Sequence, residues 1–515
     1  AIPKRMHFLH MKKDVRVIKR FFKKYSDYDI LLLPICQDKA KIIVMDLLSQ
    51  ASRRALFCGD QTEFLFCIAR KLRMTFEYGF TRGSAHAFAS YGQFLQTSDS
   101  DVEGALRMGR LARQILDKTD PISRPMKSQT LYVVAYFIEA WGFPREHVME
   151  SLREAHTSGM AKGNIEVGFQ CIVLCNIFAQ NTGYPLVYVE KAGAELMQQL
   201  HLFKVDSVLA QLNASRLSLL CLTGKKKIDW KELEPSDVSS GESNADVYRY
   251  VFGYLSRLEL GVYFGNFEFA VRMSGLLQPY IETDGSYICV SREHFYSGIA
   301  YVGLTRETGV QKYHNKSIEY VKKLRHLCRT RGLNVHHKCL LMEAEVLSLE
   351  CKDVQKIAAA YDEAIISAVK MGYNHDAAFG SELAGASMLL LSEDSGSMQY
   401  LNQACDLWRE HGAHEKVRHI SAKRSIMDGD TDSDISISFE HNIISSVDLS
   451  DSRASLDLDL LVGITMQTAI QIGLSGAESK ELSDDDGLYG TSDGKLVTTK
   501  SAKEITTTVE NTDTS

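Results

Sequence analysis

The chain has 515 residues, of which 45% are hydrophobic and 24% are charged, as is ordinary for a soluble globular protein. Only 8 residues are proline, and none follows Pro279. Because proline disrupts helices, this scarcity favours a helical protein, excludes collagen-like and wholly disordered chains, and argues against a β-sandwich. The length suits about three domains or one long repeat array.

The formal net charge of −6 is distributed unevenly along the chain. Residues 1–24 carry nine Lys or Arg and one Asp, whereas residues 425–515 carry 5 basic and 18 acidic residues. We therefore expect a basic helical arm over 1–29, a nearly neutral tetratricopeptide-like array over 30–424, and an acidic tail. The tail is rich in Ser, Thr and Asp, so we expect it to be largely disordered, with one short helix over 455–472.

The basic arm mixes Lys and Arg with Val, Ile and Phe between Lys12 and Lys24. A segment of this kind can bind anionic lipid or nucleic acid. It also suits a helix whose apolar side packs on a neighbouring element while its lysines face solvent. We favour the packed helix and expect no nucleic-acid partner.

Glycines mark an internal repeat. Three segments align around Gly332, Gly372 and Gly412, which are forty residues apart, and Gly79 and Gly163 have similar surroundings. Each glycine follows one amphipathic stretch and precedes another, as expected for a residue that caps a helix. A period near forty fits two helices and two turns. The sequence therefore predicts an all-α protein, an α-α superhelix (a tetratricopeptide-like solenoid) of about nine or ten helical hairpins; a non-repetitive helical bundle is the alternative.

One stretch breaks the repeat. Residues 225–246 are polar and contain Pro235 and Gly241, so we expect a surface insertion between repeats. Elsewhere, stacked hairpins should present a concave groove. Four residues near predicted inter-helix turns are candidates to line it: Tyr78, Tyr91, His336 and Tyr373.

Motifs for phosphate chemistry are incomplete. Thr223-Gly224-Lys225 comes nearest to a P-loop, which would also need glycine at position 219 and Ser or Thr at 226. Those positions hold Leu219 and Lys226. The glycine-rich, His-Arg-Asp and Asp-Phe-Gly motifs of dinucleotide-binding proteins and kinases are absent from the sequence. We predict no catalytic residue, no cofactor-binding residue and no cofactor.

Metal-ligating residues are also poorly arranged. A calcium loop needs glycine at its sixth position and glutamate at its twelfth, where this chain has Ser433 and Phe439. The aspartates that resemble the opening of such a loop are Asp428, Asp430, Asp432 and Asp434. Zinc would need three or four converging ligands, and no His-Glu-x-x-His motif is present. The histidines considered are His336, His337, His411, His414 and His419. We predict no metal site.

The chain has 11 cysteines, mostly among apolar neighbours, and no Cys-x-x-Cys pair. Cys171 and Cys175 are one turn apart on an apolar helix, where core packing explains them better than metal or redox chemistry. Reduced, buried thiols indicate a reducing compartment, so we expect a cytoplasmic protein. The longest uncharged apolar run, Leu460 to Leu474, is too short and too polar to span a bilayer.

Several segments resemble a known family. The segment from Phe66 to Gly79, followed by Ser84 to Gly92, resembles the start of a helical-repeat region found in very large signalling proteins. That region lies between an AAA-type ATPase module and a GAF sensor domain. Matches to its middle, later and closing repeats occur at Glu154–Asn164, Tyr361–Ala384 and Leu407–Val417.

The resemblance covers about residues 30–424, and its motifs are structural rather than catalytic. It implies a Ser/Thr-kinase-like domain and an ATPase before the repeats, and a GAF domain and a histidine kinase after them. Arg16 to Lys24 would then be the exit from the ATPase, and Ser455 to Leu460 the start of the helix that leads into GAF. Since no GAF domain follows and the sequence starts at Ala1, we expect either a fragment or a protein that has lost its output.

The sequence thus predicts a non-catalytic regulatory and protein-interaction segment of a multidomain signal-transduction ATPase or kinase. Its partner would be a protein or an adjacent ATPase or kinase domain, and its oligomeric state stays open. The alternative is an ATP-binding signalling enzyme, an AAA ATPase or a protein or histidine kinase, whose catalytic domains lie outside this fragment. A third interpretation is an adaptor that acts alone.

Overall fold

The computed structural model describes residues 4–57, 60–99, 101–235 and 247–427. The predicted helix over 455–472 and nearly all of the predicted tail therefore lie outside the described residues. Within them the chain forms helices and turns, and the only extended pairing is an isolated bridge between Ile35 and Phe80. The predicted all-α class is confirmed.

The described residues contain 21 α-helices, most of them about seventeen residues long. The first eleven are α1 (Lys4–Lys24), α2 (Asp27–Leu31), α3 (Lys39–Phe57), α4 (Gln61–Tyr78), α5 (Ser84–Phe94), α6 (Val102–Lys118), α7 (Lys127–Val133), α8 (Arg145–Ala161), α9 (Ile165–Asn181), α10 (Leu186–Leu202) and α11 (Asp206–Leu222). The others are α12 (Trp230–Leu233), α13 (Val247–Tyr263), α14 (Phe267–Asp284), α15 (Tyr287–Thr308), α16 (Gln311–Arg331), α17 (His336–Glu350), α18 (Val354–Lys370), α19 (Asn374–Leu390), α20 (Asp394–His411) and α21 (His414–Met427). A π-helical turn, Leu95–Asp99, extends α5, and the turns Val134–Ile138 and Glu139–Trp141 extend α7.

Local sequence explains where many of these helices begin. A side chain just before the helix accepts a hydrogen bond from a backbone N–H three residues further on, which satisfies one of the N–H groups that lack a partner within the helix. The capping residues are Asp60, Asp101, Asn266, Ser286 and Asp353.

The five repeat glycines lie at helix ends. Gly79, Gly332 and Gly412 directly follow α4, α16 and α20, and Gly163 and Gly372 lie one residue beyond the caps of α8 and α18. All five have positive φ. At Gly332, φ is 138° and a Cβ would overlap the carbonyl oxygen of Trp141, so only glycine fits there.

The apolar side of α1 packs on α4. The ring of Phe21 stacks on Phe76 with centroids 3.6 Å apart, and the buried carboxylate of Asp14 pairs with Arg70 and Arg73. The lysines of α1 from Lys12 onward face solvent. The basic arm is thus joined to the repeat array by aromatic stacking and ion pairs.

From α5 onward the helices form two rows. Each odd-numbered helix packs on the next odd-numbered helix, from α5 through to α19, and also on its neighbours in sequence, apart from the short helix α12. The odd-numbered helices are therefore the inner row: α15 is buried on nearly all sides, whereas α16 is buried along one face. This arrangement is a helical-repeat solenoid, in which each hairpin buries its apolar side against the next.

The predicted insertion coincides with a shortened outer helix. Between α11 and α13 the outer row is represented by the four-residue helix α12, and α11 packs directly on α13. Leu233 is buried, and the ring of Trp230 lies 5.1 Å from that of Phe269. Residues 236–246, the rest of the predicted insertion, lie outside the described residues.

The inner row closes on itself after five hairpins, so that the first superhelical turn meets the second end to end. The end of α5 contacts the start of α15 through Thr97 and Gly285. In the same way α9 meets α19 at Gly183 and Gly372. Further contacts join the ends of α7, α11 and α13 to the starts of α17 and α21. We call this end-to-end contact the inter-turn seam.

Polar side chains bind the backbone across the inter-turn seam. The amide Nδ2 of Asn334, before α17, donates to the carbonyl oxygens of Ala140 at 3.0 Å and Phe143 at 2.9 Å. The guanidinium of Arg331 donates to the carbonyl oxygen of Thr97 at 3.0 Å. The ammonium of Lys416 donates to the carbonyl oxygen of Tyr263. The last carbonyls of a helix have no partner within it, so the second turn supplies donors that the first turn lacks.

We expect Asn334→Ala to lower the free energy of unfolding by about 2 kcal/mol, because two carbonyl groups at the seam lose their donor. Urea denaturation measures this loss. The matched control is Asn315→Ala, since Asn315 is exposed on α16 and its substitution should change stability by less than about 0.5 kcal/mol. Equal stability of the two variants would show that the seam contributes little.

Candidate functional site

A group of buried polar and charged side chains lies beside the inter-turn seam, at the start of α17 and α19. The ammonium of Lys338 pairs with Oδ2 of Asp376. Nε2 of His337 lies 2.8 Å from the same oxygen, and Nε2 of His375 lies 3.6 Å from the other carboxylate oxygen. His411, at the end of α20, stacks on His375 with ring centroids 5.5 Å apart. These five residues are the buried polar cluster.

Aromatic side chains from both turns enclose the buried polar cluster. The ring of Tyr373 stacks on His337 with centroids 4.4 Å apart, and its hydroxyl is 2.9 Å from that of Tyr287. The ring of Tyr287 packs edge-on against Trp141 of the first turn, and its hydroxyl is 3.1 Å from the carbonyl oxygen of Asn334. The cluster is thereby connected to the seam.

Burial lowers the pKa of every histidine in the cluster. It brings the pKa of His411 to about 4 and holds that of His375 well below its ordinary value. The pKa of His337 is also lowered by burial, although its hydrogen bond to Asp376 acts in the opposite direction. The three imidazoles are therefore neutral at pH 7, and His337 donates Nε2–H to the carboxylate.

The carboxylate of Asp376 stays ionised. Burial alone would raise its pKa, but the charge of Lys338 and the hydrogen bond from His337 hold that pKa well below its ordinary value. The cluster thus contains a charged ammonium–carboxylate pair surrounded by neutral polar rings.

The geometry suits a structural network better than a reaction centre. Lys338, Asp376 and His337 are each no more than 2% exposed, so a substrate has no direct approach to them. A general acid or base must come within hydrogen-bond reach of the group it serves. A shift of α17 relative to α19 would break the ion pair between Lys338 and Asp376 and leave an uncompensated buried charge. The pair therefore stabilises the observed register of these two helices.

Several residues singled out in the sequence lie elsewhere. His336 and Tyr78 are exposed. Tyr91 and Tyr373 are buried, so the prediction that these two tyrosines line an open groove is wrong. Tyr373 is buried because the inter-turn seam places first-turn residues against the start of α19. Tyr91 is covered instead by the ring of Phe22, at 6.1 Å, from α1.

The two cysteines on α9 are core residues in the structure. Cys171 and Cys175 are buried, and Sγ of Cys175 is 3.7 Å from the carbonyl oxygen of Met149. Burial raises the pKa of the Cys171 thiol to about 12, so it is protonated at neutral pH. The calcium-like aspartates from Asp428 to Asp434 lie outside the described residues.

In the described ranges, no three or more His, Cys, Asp or Glu side chains converge as a metal ion would require. In the same part of the chain, no helix combines the length and the hydropathy needed to cross a membrane.

Comparison with known proteins identifies neither a family nor a function for this chain. No known protein family and no curated protein matches the chain. Among solved structures, the chain is similar to one described as a "circular tandem repeat protein with novel repeat topology and enhanced subunit contact surfaces". The two are 14% identical over 84% of this chain and 99% of the other, with a TM-score of 0.13. The helical-repeat assignment rests on the packing of this chain's own helices.

The neutral histidines predict how stability depends on pH. Because the pKa of His411 is about 4 in the folded chain and near 6.5 when unfolded, the unfolded chain binds a proton between these values and the folded chain does not. Stability should therefore fall as the pH drops from 6.5 to 4, with His411 contributing about 1.4 kcal/mol per pH unit. His375 and His337 act in the same direction.

His411→Phe keeps a ring against His375 but removes the titrating group. We expect urea denaturation at successive pH values to give a shallower slope for this variant by about 1.4 kcal/mol per pH unit. The control is His201→Phe, because His201 is exposed. A slope unchanged from the unsubstituted protein would contradict the assignment of His411 as buried and neutral.

Proposed function

We propose that these residues form a non-catalytic regulatory and protein-interaction segment of a multidomain signal-transduction ATPase or kinase. The observation that supports this function most is an exposed apolar face at the start of the repeat array. It lies on α3, whose opposite face packs on α4. The resemblance of the repeats to those of large signalling proteins supports the same context.

The apolar face of α3 has the spacing of one helical stripe. Ile43 is 59% exposed, Val44 42% and Leu47 63%, while Met45 and Ser49 on the other side are buried. The end of a solenoid normally has a polar outer surface, because no further repeat covers it. Apolar residues at successive turns of an exposed helix are instead typical of a surface that receives another helix.

Charge indicates the character of the partner. Lys39 and Arg54 are exposed near the two ends of α3, and the solvent-facing side of α1 carries further lysines. An amphipathic helix with an apolar stripe and acidic flanks would complement this surface. In the proposed context, an adjacent ATPase or kinase domain of the same protein supplies that helix.

The inter-turn seam would make the array a rigid support for a domain docked on α3. Because successive turns are joined end to end, the array has little freedom to change its curvature. A domain docked on α3 would be held at a fixed orientation to whatever follows α21. The array then acts as a rigid spacer that positions neighbouring domains.

Cysteine labelling tests the docking surface. We expect Leu47→Cys to react readily with a maleimide in this chain, and about tenfold more slowly in the full-length signalling protein, where the partner helix covers it. The control is Leu202→Cys on α10, because Leu202 is 71% exposed and should react equally in both. Mass spectrometry of the labelled peptides separates these sites from the native cysteines.

Two results would contradict the proposed function. Equal labelling of position 47 in both proteins would show that no domain docks on α3. Micromolar binding of magnesium–ATP by this chain, measured by titration calorimetry, would contradict the non-catalytic assignment, because these residues would then themselves hold a nucleotide.

A further inference from the structure

The histidines of the buried polar cluster lie against residues of the first turn. A Cβ on Gly183, just after α9, would lie 3.2 Å from Nδ1 of His375. A Cβ on Gly412, which follows His411, would lie 3.7 Å from Cβ of Leu186 at the start of α10. Separation of the two turns would therefore admit water to these rings.

The charged groups around these histidines are already paired. Arg145 of α8 donates to the carbonyl oxygens of Thr182, at 2.6 Å, and Gly372, at 2.7 Å, so it bonds both turns. The ion pairs here are Lys338 of α17 with Asp376 of α19, Arg145 with Glu146 on α8, and Lys416 of α21 with Glu382 of α19. The neighbouring phenols are those of Tyr263 on α13, Tyr287 on α15 and Tyr373 before α19. None of these pairs leaves a carboxylate to neutralise an additional positive charge.

A protonated histidine does not fit the closed seam. An imidazolium donates a hydrogen bond from both ring nitrogens. In the part of the chain that the structure describes, Nδ1 of His337, His375 and His411 is buried without a hydrogen-bond partner. Because a buried charge without partners is costly, a proton on any of these rings favours a conformation in which water reaches it. The lowered pKa of all three histidines, which burial causes, agrees with this geometry.

We propose that His337, His375 and His411 make the inter-turn seam an acid-sensitive switch: when they take up protons, the second turn separates from the first while the helices of each turn stay folded. Neighbouring hairpins within a turn pack through apolar side chains, which do not titrate. The two turns stay joined at α14, which packs on both α13 and α15. The array is then rigid at neutral pH and flexible in acid, whichever domain is attached to it.

Exchange of the tryptophan indole N–H with D2O measures the opening of the seam. Trp141 and Trp408 are no more than 1% exposed, and they pack on Tyr287 and Tyr263 of the opposite turn. Among the described residues neither Nε1 has a hydrogen-bond partner, so exchange requires only that water gains access. Trp230 on α12 is half-buried, so its exchange does not need the seam to open and corrects for the effect of pH on the intrinsic rate.

NMR of the chain labelled with 15N-tryptophan gives the exchange rate of each indole relative to Trp230. We expect the relative rates of Trp141 and Trp408 to rise about fiftyfold or more between pH 7.5 and 4.5. The reason is that the pKa of His411 is about 4 in the closed seam and near 6.5 in an open one, and His375 and His337 add to the effect. Backbone amides in the middle of α15 should keep their protection, because the helices stay folded.

The double variant His375→Phe/His411→Phe keeps both rings and removes two titrating groups. Its relative indole rates should rise about tenfold less over the same pH range. The control is His201→Phe, whose exposed position predicts the response of the unsubstituted chain. The proposal is overturned if the indole rates of the unsubstituted chain do not depend on pH, or if the double variant keeps the full response. It is also overturned if the α15 amides lose protection by the same factor as the indoles, because the whole chain then unfolds. These results are independent of whether a domain docks on α3.

Discussion

The backbone carbonyls at the ends of the inner helices need donors, and this requirement governs the architecture. A helix cannot satisfy its own last carbonyls. Here Arg331, Asn334 and Lys416 of the second superhelical turn donate to carbonyls at the ends of α5, α7 and α13. Arg145 of the first turn donates in return to the carbonyl oxygen of Gly372, at 2.7 Å. These bonds fix the register of one turn on the next, and hence the pitch of the superhelix.

The inter-turn contact also leaves the space between the inner helices filled by side chains. Aromatic rings fill the space between inner helices: Tyr263 of α13 packs against Phe379 of α19 at 4.9 Å and against Trp408 of α20 at 5.3 Å. With the interior occupied in this way, the buried polar cluster joins α17 to α19 through the ion pair of Lys338 and Asp376, and loss of either partner would leave an uncompensated buried charge. Under the proposed function, a partner would bind an outer surface such as the apolar face of α3.

Local features of the structure were predictable from the sequence, and the seam was not. Helix periodicity and capping glycines such as Gly332 depend on neighbouring residues, so they indicate hairpins directly. The partners of Asn334 are 191 and 194 residues away, and no local pattern reveals them. For the same reason Tyr373 was expected at an open groove. A signal for the cluster did exist, because Lys338 and Asp376 occupy nearly equivalent positions one repeat apart, shortly after a capping glycine.

Photo-cross-linking measures the inter-turn contact directly. The ring of Phe264, just after α13, lies 5.1 Å from that of His419 on α21. With p-benzoylphenylalanine at position 264, irradiation should yield a peptide cross-linked to α21, whereas the same residue at position 313 on α16 should not reach that helix. Cross-links from position 264 confined to α13, α14 and their immediate neighbours would mean that successive turns are apart, which would contradict an end-to-end seam.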